Sequence, residues 1–274
     1  MLGLVFSGLA GRLPALPGGR LEIKGIIHMC GRILIKIDGN DFWAFCQAIE
    51  SEDLGILQTN WFGLRYQEAM PFYPTDTLPV IIQNNNTRKV ASMYWGLLPH
   101  WAQKDAIFYK TKTDRLVFKW KSTPKAHFNM RADTINGAQK WTDLSNAHRC
   151  LIPVSNYIEW QDKDMLPPKH KPLAKKYAVK NQNYFYLAGV WDKVSIENVG
   201  DFYSTAIITT TPNQLMQSLP HHRMPVILPN HKADDWLNGK QDSFFNPFDD
   251  MQMTAEAYQE PIQLANDEPD LFSE

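Results

Sequence analysis

The sequence predicts an α+β fold, a single domain centred on a curled, mainly antiparallel β-sheet with short helices at its flanks. Three observations predict it. Runs rich in β-branched and aromatic residues recur at 80–83, 177–179, 185–191 and 202–210, separated by Pro, Asn and Gly, which is the signature of short strands. Helical spacing of apolar residues is confined to two short stretches, 41–50 and 232–237. From residue 29 onward no internal repeat or low-complexity linker divides the chain, so residues 29–274 read as one domain.

In chain order, residues 1–28 differ from the rest. Leu2 to Ala10 is apolar, but Arg12, Pro14, Pro17, Gly18 and Gly19 follow, so a transmembrane helix of about 20 residues is excluded. A signal peptide would need a basic stretch ahead of the apolar run and a small-residue cleavage site, and neither is present. Residues 1–28 are therefore expected to be an upstream extension, either a propeptide or a read-through from a start codon set too early. Residues 31–37 alternate as a strand, and 41–50 read as a helix with Phe42, Phe45 and Ile49 on one side. The acidic, weakly periodic tail from Asp242 is expected to form surface loops.

Composition bounds the chemistry. With 44% hydrophobic and 12% aromatic residues the chain can bury a core, while a net charge of −1 and a pI near 6.7 exclude a generally basic nucleic-acid coat. Three cysteines, Cys30, Cys46 and Cys150, are an odd number with no C-x-x-C spacing. That argues for a reducing, cytoplasmic setting and against a disulfide framework or a zinc site.

Five segments carry chemistry. In Met29-Cys30-Gly31-Arg32 a small residue follows a methionine, so initiator processing would leave Cys30 at the N-terminus. An N-terminal cysteine holds an amine and a thiol on adjacent carbons and can close a five-membered thiazolidine ring on an aldehyde; an internal cysteine cannot. In Tyr94-Trp95-Gly96-Leu97-Leu98-Pro99-His100-Trp101 the indoles of Trp95 and Trp101 either fill the core or, exposed on a Gly/Pro-bounded loop, stack on unpaired bases. Asn129-Met130-Arg131-Ala132-Asp133-Thr134 alternates an amide and a guanidinium on one strand face, where one can orient a nucleophile and the other hold a phosphate. The run from Arg149 to Trp160 reads as a buried strand ending in Glu159, whose apolar neighbours favour a raised pKa suited to proton transfer, or else pair it with an arginine. In His221-His222-Arg223-Met224-Pro225 the proline stops regular structure and leaves imidazole and guanidinium on a loop.

Together, Met-Cys-Gly-Arg, Trp-Gly-Leu-x-Pro-x-Trp, Asn-x-Arg, Arg-Cys-x-x-Pro…Glu-Trp and His-x-Arg-Met-Pro resemble the SOS-response-associated peptidase (SRAP) family, in that order, from Cys30 to about Leu228. Three departures stand out: Asp133 where a Glu is usual, Phe72-Tyr73-Pro74 where an Asn-x-Ala-Pro-like element is common, and a poorly matching C-terminal end. The resemblance implies an SRAP-like domain that shields abasic sites in single-stranded DNA through a covalent thiazolidine crosslink. It assigns catalysis to Cys30, Asn129, Glu159 and His221, and DNA binding to Gly31, Arg32, Trp95, Trp101, Arg131 and Arg223. Of the two adjacent histidines His221 has the motif spacing, and His222 is expected to face solvent. The implied partner is single-stranded DNA containing abasic sites, met by a monomer without a membrane, a metal or a cofactor.

Between Trp101 and Asn129 the chain is longer than compact family members. Residues 102–128 hold Lys104, Lys110, Lys112, Arg115, Lys119, Lys121 and Lys125 against Asp105 and Asp114, interleaved with Phe108, Tyr109, Phe118 and Trp120. This composition suits either a single-strand groove or a solvated surface hairpin. Other functional readings stay open: a cysteine peptidase with Cys30 as thiol nucleophile, acting once on its own N-terminal peptide or generally, and a non-catalytic reader of modified DNA. A class II glutamine amidotransferase shares Met-Cys-Gly, but its third motif residue is typically Ile and its downstream glutamine-binding pattern is missing.

Overall fold

The computed structural model describes residues 31–35, 44–46, 49–50, 71–85, 87–110, 116–121, 127–173, 175–197, 200–240 and 244–259. In chain order the strands begin with β1 (Arg32–Leu34), β2 (Ile49–Glu50), β3 (Thr77–Asn84), β4 (Thr87–Trp95), β5 (Ala106–Lys110) and β6 (Leu116–Trp120). After β7 (Asn129–Arg131) come two helices, α1 (Ala132–Gly137) and α2 (Gln139–Ala147), then the long strands β8 (Arg149–Trp160), β9 (Lys176–Ile196) and β10 (Gly200–Thr210). The rest is α3 (Gln214–Ser218), β11 (Met224–Pro225), β12 (Ile227–Leu228), α4 (Ala233–Leu237) and β13 (Met253–Ala257).

The main sheet closes on itself. β8 pairs with β3, β3 with β4, β4 with β10, β10 with β9, and β9 returns to β8, so these strands form a ring; β4 and β10 run parallel and the other pairs antiparallel. The expected curled, mainly antiparallel core is thus a barrel-like sheet. Consecutive residues such as Val80 and Ile81, Leu151 and Ile152, and Ala206 and Ile207 are all fully buried, so the sheet is covered on both its inner and its outer face along these strands.

Two of the predicted strands are one. Residues 177–179 and 185–191 both belong to β9, whose 21 residues run through the polar stretch between them. Along its length β9 changes partner: its N-terminal part pairs with β13, its middle with β12 and its C-terminal part with β10. The polar interval sits at the first of these changes, facing a register shift between Val154 and Asn156 of β8, so it marks a bend in the sheet and not a break in the strand.

Other expectations change at the ends. Residues 44–46 are helical, but Ile49–Glu50 is a strand parallel to β4, because Ile49 is β-branched and meets an open edge; residues 41–43 and 47–48 of the predicted helix, and 36–37 of the predicted 31–37 strand, lie outside the described residues. The C-terminal region is not merely surface loop: β13 extends the sheet beside β9, and the half-buried Phe245 and the buried Phe244 meet the Trp236 ring edge-on at 6.0 and 5.5 Å. The predicted 232–237 helix is present as α4 preceded by a short turn, and Trp236 is fully buried with its indole N–H donating to Cys150 O at 2.9 Å. No helix among the described residues is long and apolar enough to cross a membrane.

Gly189 stands where the ring is tightest. A Cβ there would lie 2.5 Å from Ile152 Cδ1, 2.9 Å from Cys150 Sγ and 3.0 Å from the backbone oxygen of Ala206. Gly189→Ala is expected to cost about 1–3 kcal/mol of folding stability by overpacking, read as a lower denaturation midpoint with an unchanged slope in urea. An unchanged midpoint would show that the barrel yields at this point.

Candidate functional site

The site begins at the last turn of β8. Alternation along this strand sends Tyr157 and Glu159 to the same side, and the Glu159 carboxyl group is only 2% exposed. A buried carboxylate needs a partner. His221 supplies one, its Nε2 standing 3.2 Å from Glu159 Oε2 with both side chains 2% exposed. The histidine sits just beyond α3, a short helix capped by Asn213, whose Oδ1 accepts from Met216 N at 2.9 Å; the His221 amide donates back to Met216 O.

The tautomer of His221 follows from its other contact. Nδ1 lies 2.7 Å from the carbonyl oxygen of Arg223, which can only accept, so Nδ1 carries a proton and donates. That leaves Nε2 as the ring nitrogen that faces the Glu159 carboxylate, 3.2 Å away. Burial pulls the imidazole pKa down, but the charge and hydrogen bond of Glu159, the Arg223 carbonyl and the charge of Asp162 outweigh it and leave it raised above 6.5.

β1 runs beside this pair. Arg32 is in register with Ile158, so the chain arrives at β8 next to Glu159, and a Cβ on Gly31 would touch the Trp160 ring at 3.6 Å. Arg32 is sandwiched, its guanidinium carbon 4.6 Å from the ring centres of both Tyr73 and Trp160. Cys30 is bonded to Gly31 and lies outside the described residues.

A second cluster adjoins the first through Arg223. Its amide stands next to His221, its Nη2 donates to Thr209 O at 2.7 Å and to Asp133 Oδ1 at 3.3 Å, and its Nε donates to Thr209 Oγ1. Asp133 is also gripped by Arg131, through Nη2 at 2.6 Å and Nε at 3.1 and 3.2 Å. Arg131's hydrogen bonds, first of all, hold the Asp133 carboxyl below the usual carboxylate range. Arg131 remains half-exposed while Arg223 is 11% exposed, so only the first offers an open guanidinium edge. Asn129 lies two residues before Arg131 on β7, and so on the same face, with β7 held parallel to β10 through the pairs Ile207–Asn129 and Thr209–Arg131.

The two motif tryptophans separate. Trp95 is fully buried, with its indole N–H donating to Phe128 O at 2.9 Å, so the expectation of an exposed stacking ring at this position is corrected: it fixes the residue before Asn129 from inside the core. Gly96 makes this possible. Its φ is +150°, and a Cβ would fall 2.7 Å from the Tyr94 ring. Trp101 is partly exposed and meets Trp141 edge-on at 5.0 Å, with Lys140 Nζ 5.6 Å from its ring centre. His222 is exposed, as expected, and approaches Asp162 at 3.4 Å. Sequence reasoning passed over Tyr73, Thr209 and Asp162; the Arg-x-Asp spacing at 131–133 was the one legible hint of the ion pair, which joins the end of β7 to the first turn of α1.

The closed sheet with a buried Glu–His pair at the end of one strand and an arginine cluster on the neighbouring turn defines an α+β protein with an acid–base site. A model of the family described as SOS response associated peptidase (SRAP) matches residues 29–262, and the chain belongs to that family. Among its relatives, the abasic site processing protein YoqW of Bacillus subtilis is 30% identical over 237 residues, covering 84% of this chain and 92% of that protein. The abasic site processing protein HMCES of Xenopus tropicalis is 24% identical over 236 residues, covering 77% and 66%. A crystal structure of a protein from Bacteroides thetaiotaomicron shares the fold with a TM-score of 0.62 at 22% identity, covering 84% of this chain and 92% of that one.

Because the folded His221 pKa is raised above the unfolded value, the pair's stabilisation is fully present below about pH 6.5 and is lost as pH rises through the folded value. Glu159→Gln removes the largest contributions that raise it and leaves burial opposed only by the Arg223 carbonyl and the charge of Asp162. As pH rises above about 6.5 the unfolding free energy of the wild type should therefore fall relative to that of Glu159→Gln. Parallel curves for the two proteins would mean that His221 is neutral throughout.

Proposed function

We propose that this protein captures abasic sites in single-stranded DNA as a covalent thiazolidine adduct of Cys30, once Cys30 is the N-terminal residue. The observation that carries this reading is the buried Glu159–His221 pair, 3.2 Å apart, beside the strand that leads directly back to Cys30. The names of the relatives, abasic site processing proteins, point to the same lesion.

The α-amine of Cys30, with an ordinary pKa of about 8, is partly neutral near pH 7 and adds to the C1′ aldehyde of the ring-opened sugar. The proton mobile between Glu159 and His221 is delivered to the carbinolamine oxygen, which leaves as water and gives the Schiff base. The nitrogen's proton returns to the Glu159–His221 pair to leave the neutral imine; the Cys30 thiol then adds to the imine carbon, its proton passes to the nitrogen, and the ring closes. His221, with Nδ1 committed to Arg223 O, works through Nε2 and protonates the sugar oxygen when the furanose opens.

Competing nucleophiles are weak among the described residues. Burial pushes the thiols of Cys46 and Cys150 up to about 12, and no lysine stands among the buried residues. Asn129 would orient the Cys30 backbone. Arg131 and Arg32 would contact flanking phosphates, with Gly31 beside them and Arg223 setting Asp133 and thereby Arg131. Trp101 remains the motif indole open to base stacking. The family match begins at Met29, which supports the reading that residues 1–28 are removed or never made, whether by initiator processing or by the same site acting once as a peptidase.

Protein beginning at Cys30 should form an adduct with abasic single-stranded DNA that survives denaturing electrophoresis, whereas Cys30→Ser should leave at most a borohydride-trappable imine. A heat-stable adduct from Cys30→Ser would refute the thiazolidine. Glu159→Gln should bind intact single-stranded DNA as the wild type does but crosslink ~100- to 10,000-fold more slowly in single-turnover assays, the usual worth of general acid–base catalysis. Wild-type crosslinking by that variant would reduce Glu159 to a structural anchor for His221. Chain shown by intact mass to retain residues 1–28 should be inactive, because its Cys30 nitrogen is an amide; robust crosslinking by it would move the nucleophile elsewhere.

A further inference from the structure

We propose that the outer face of the β5–β6 hairpin is a second nucleic-acid contact, holding the strand that runs on from the lesion; this rests on the DNA-binding reading above and extends it. The hairpin is not a loosely solvated insertion. An isolated two-stranded hairpin is marginally stable at best, and this one is fastened to the barrel by a core of its own, built from Tyr94, Leu98, Ala106, Val117, Phe118, Val194 and Phe202. The cross-strand pair Phe108–Phe118 faces inward, its rings 5.4 and 5.7 Å from that of Phe202 on β10. The base is pinned as well, by the buried Asp192, which accepts from the His100 amide at 2.8 Å and lies 2.9 Å from His100 Nδ1.

Alternation then decides what points outward. With Phe108 and Phe118 turned in, the opposite face carries Ile107 across from Lys119 and Tyr109 across from Val117; Val117 is buried, so the open part of this face is Ile107, 42% exposed, Tyr109, 48% exposed, and the exposed Lys119. Lys104 and Lys121, at the base, are also exposed. Seven basic residues stand against two acidic ones over 102–128 in a chain whose net charge is −1, so positive charge is concentrated here at the expense of the rest. The carboxylate of Asp201, on the β10 strand to which the hairpin is fastened, is taken up by Lys193 at 2.8 Å and Ser195 at 2.6 Å. Cations about an exposed tyrosine fit a phosphate backbone with a base laid on the ring.

Geometry makes this contact separate from the acid–base site and reachable by the same strand. β10 connects the two: Phe202 packs on the hairpin, and Thr209 accepts from Arg223 next to His221. Seven residues of strand at ~3.3 Å each put them roughly 23 Å apart, the length of roughly seven stacked nucleotides at ~3.4 Å.

The test is a length dependence, read on protein beginning at Cys30 with single strands of about 5 and about 25 nucleotides, each intact or bearing a central abasic site. Tyr109→Ala combined with Lys119→Glu should weaken binding to the longer strand by about fivefold or more and flatten its salt dependence by roughly one counterion. Binding and adduct formation on the short strand should match the wild type. Equal affinities of variant and wild type for the longer strand, or equal losses at both lengths, would overturn the proposal. The intact strands keep this outcome distinct from a failure of the crosslinking reading, which would appear as absence of wild-type adduct on abasic strands of either length.

Discussion

The ladder between β8 and β9 is the constraint on which the rest of the structure depends. It runs from Arg149–Val190 to Trp160–Lys176, interrupted only by the shift between Val154 and Asn156. One end of β8 is locked into the core: Arg149 is buried, donates to Ser145 O, Trp236 O and Lys240 O, and lies 4.4 Å from the Trp236 ring centre. The other end presents Glu159. A charge held at 2% exposure is tolerable only on a strand that cannot slip, since a one-residue shift would turn Glu159 away from His221 and leave an imidazole and a carboxylate unpaired in the interior.

Arg223 is the joint between the acid–base pair and the arginine cluster. Its backbone carbonyl sets the His221 tautomer while its side chain bonds Thr209 and Asp133. Burial lowers its pKa from the ordinary value, yet at any ordinary pH it stays charged, so it can neutralise Asp133 without titrating. One residue thereby couples the protonation geometry of His221 to the placement of Arg131, through main chain on one side and side chain on the other.

How much of this was legible in the sequence differs by kind of information. Glu159 and His221 were named from motif and from apolar context, and the structure brings them to 3.2 Å of each other. Strand content and the curl of the sheet followed from β-branched runs. Closure did not, because it depends on pairings far apart in sequence, such as the parallel contact of Ser204 with Tyr94, that no local pattern encodes. Trp95 was misjudged for a related reason. A Gly/Pro-bounded tryptophan looks exposed, but Gly96 at φ +150° is what lets the chain turn away and leave the ring inside, with its N–H satisfied by Phe128 O. The tail was underestimated because an acidic, weakly periodic segment can still donate an edge strand when a long neighbour such as β9 offers an unpaired side.

The separation of roles along β10 follows from the same economy of scaffolding. Its middle is core, where Ala206, Ile207 and Ile208 are fully buried and rigid, and each end is left to bear a different surface. At one end Thr209 aligns β7 and Arg223 with the acid–base pair; at the other Phe202 anchors the basic hairpin. A protein of nearly neutral net charge cannot attract a polyanion everywhere, and a field spread evenly would give no preferred path for a strand. In the proposed second contact, cations concentrated on an anchored hairpin, with the acidic neighbour Asp201 tied up by Lys193, would give direction to the approach. The half-exposed Arg131 on β7, in register with Thr209 at the far end of β10, would continue that path.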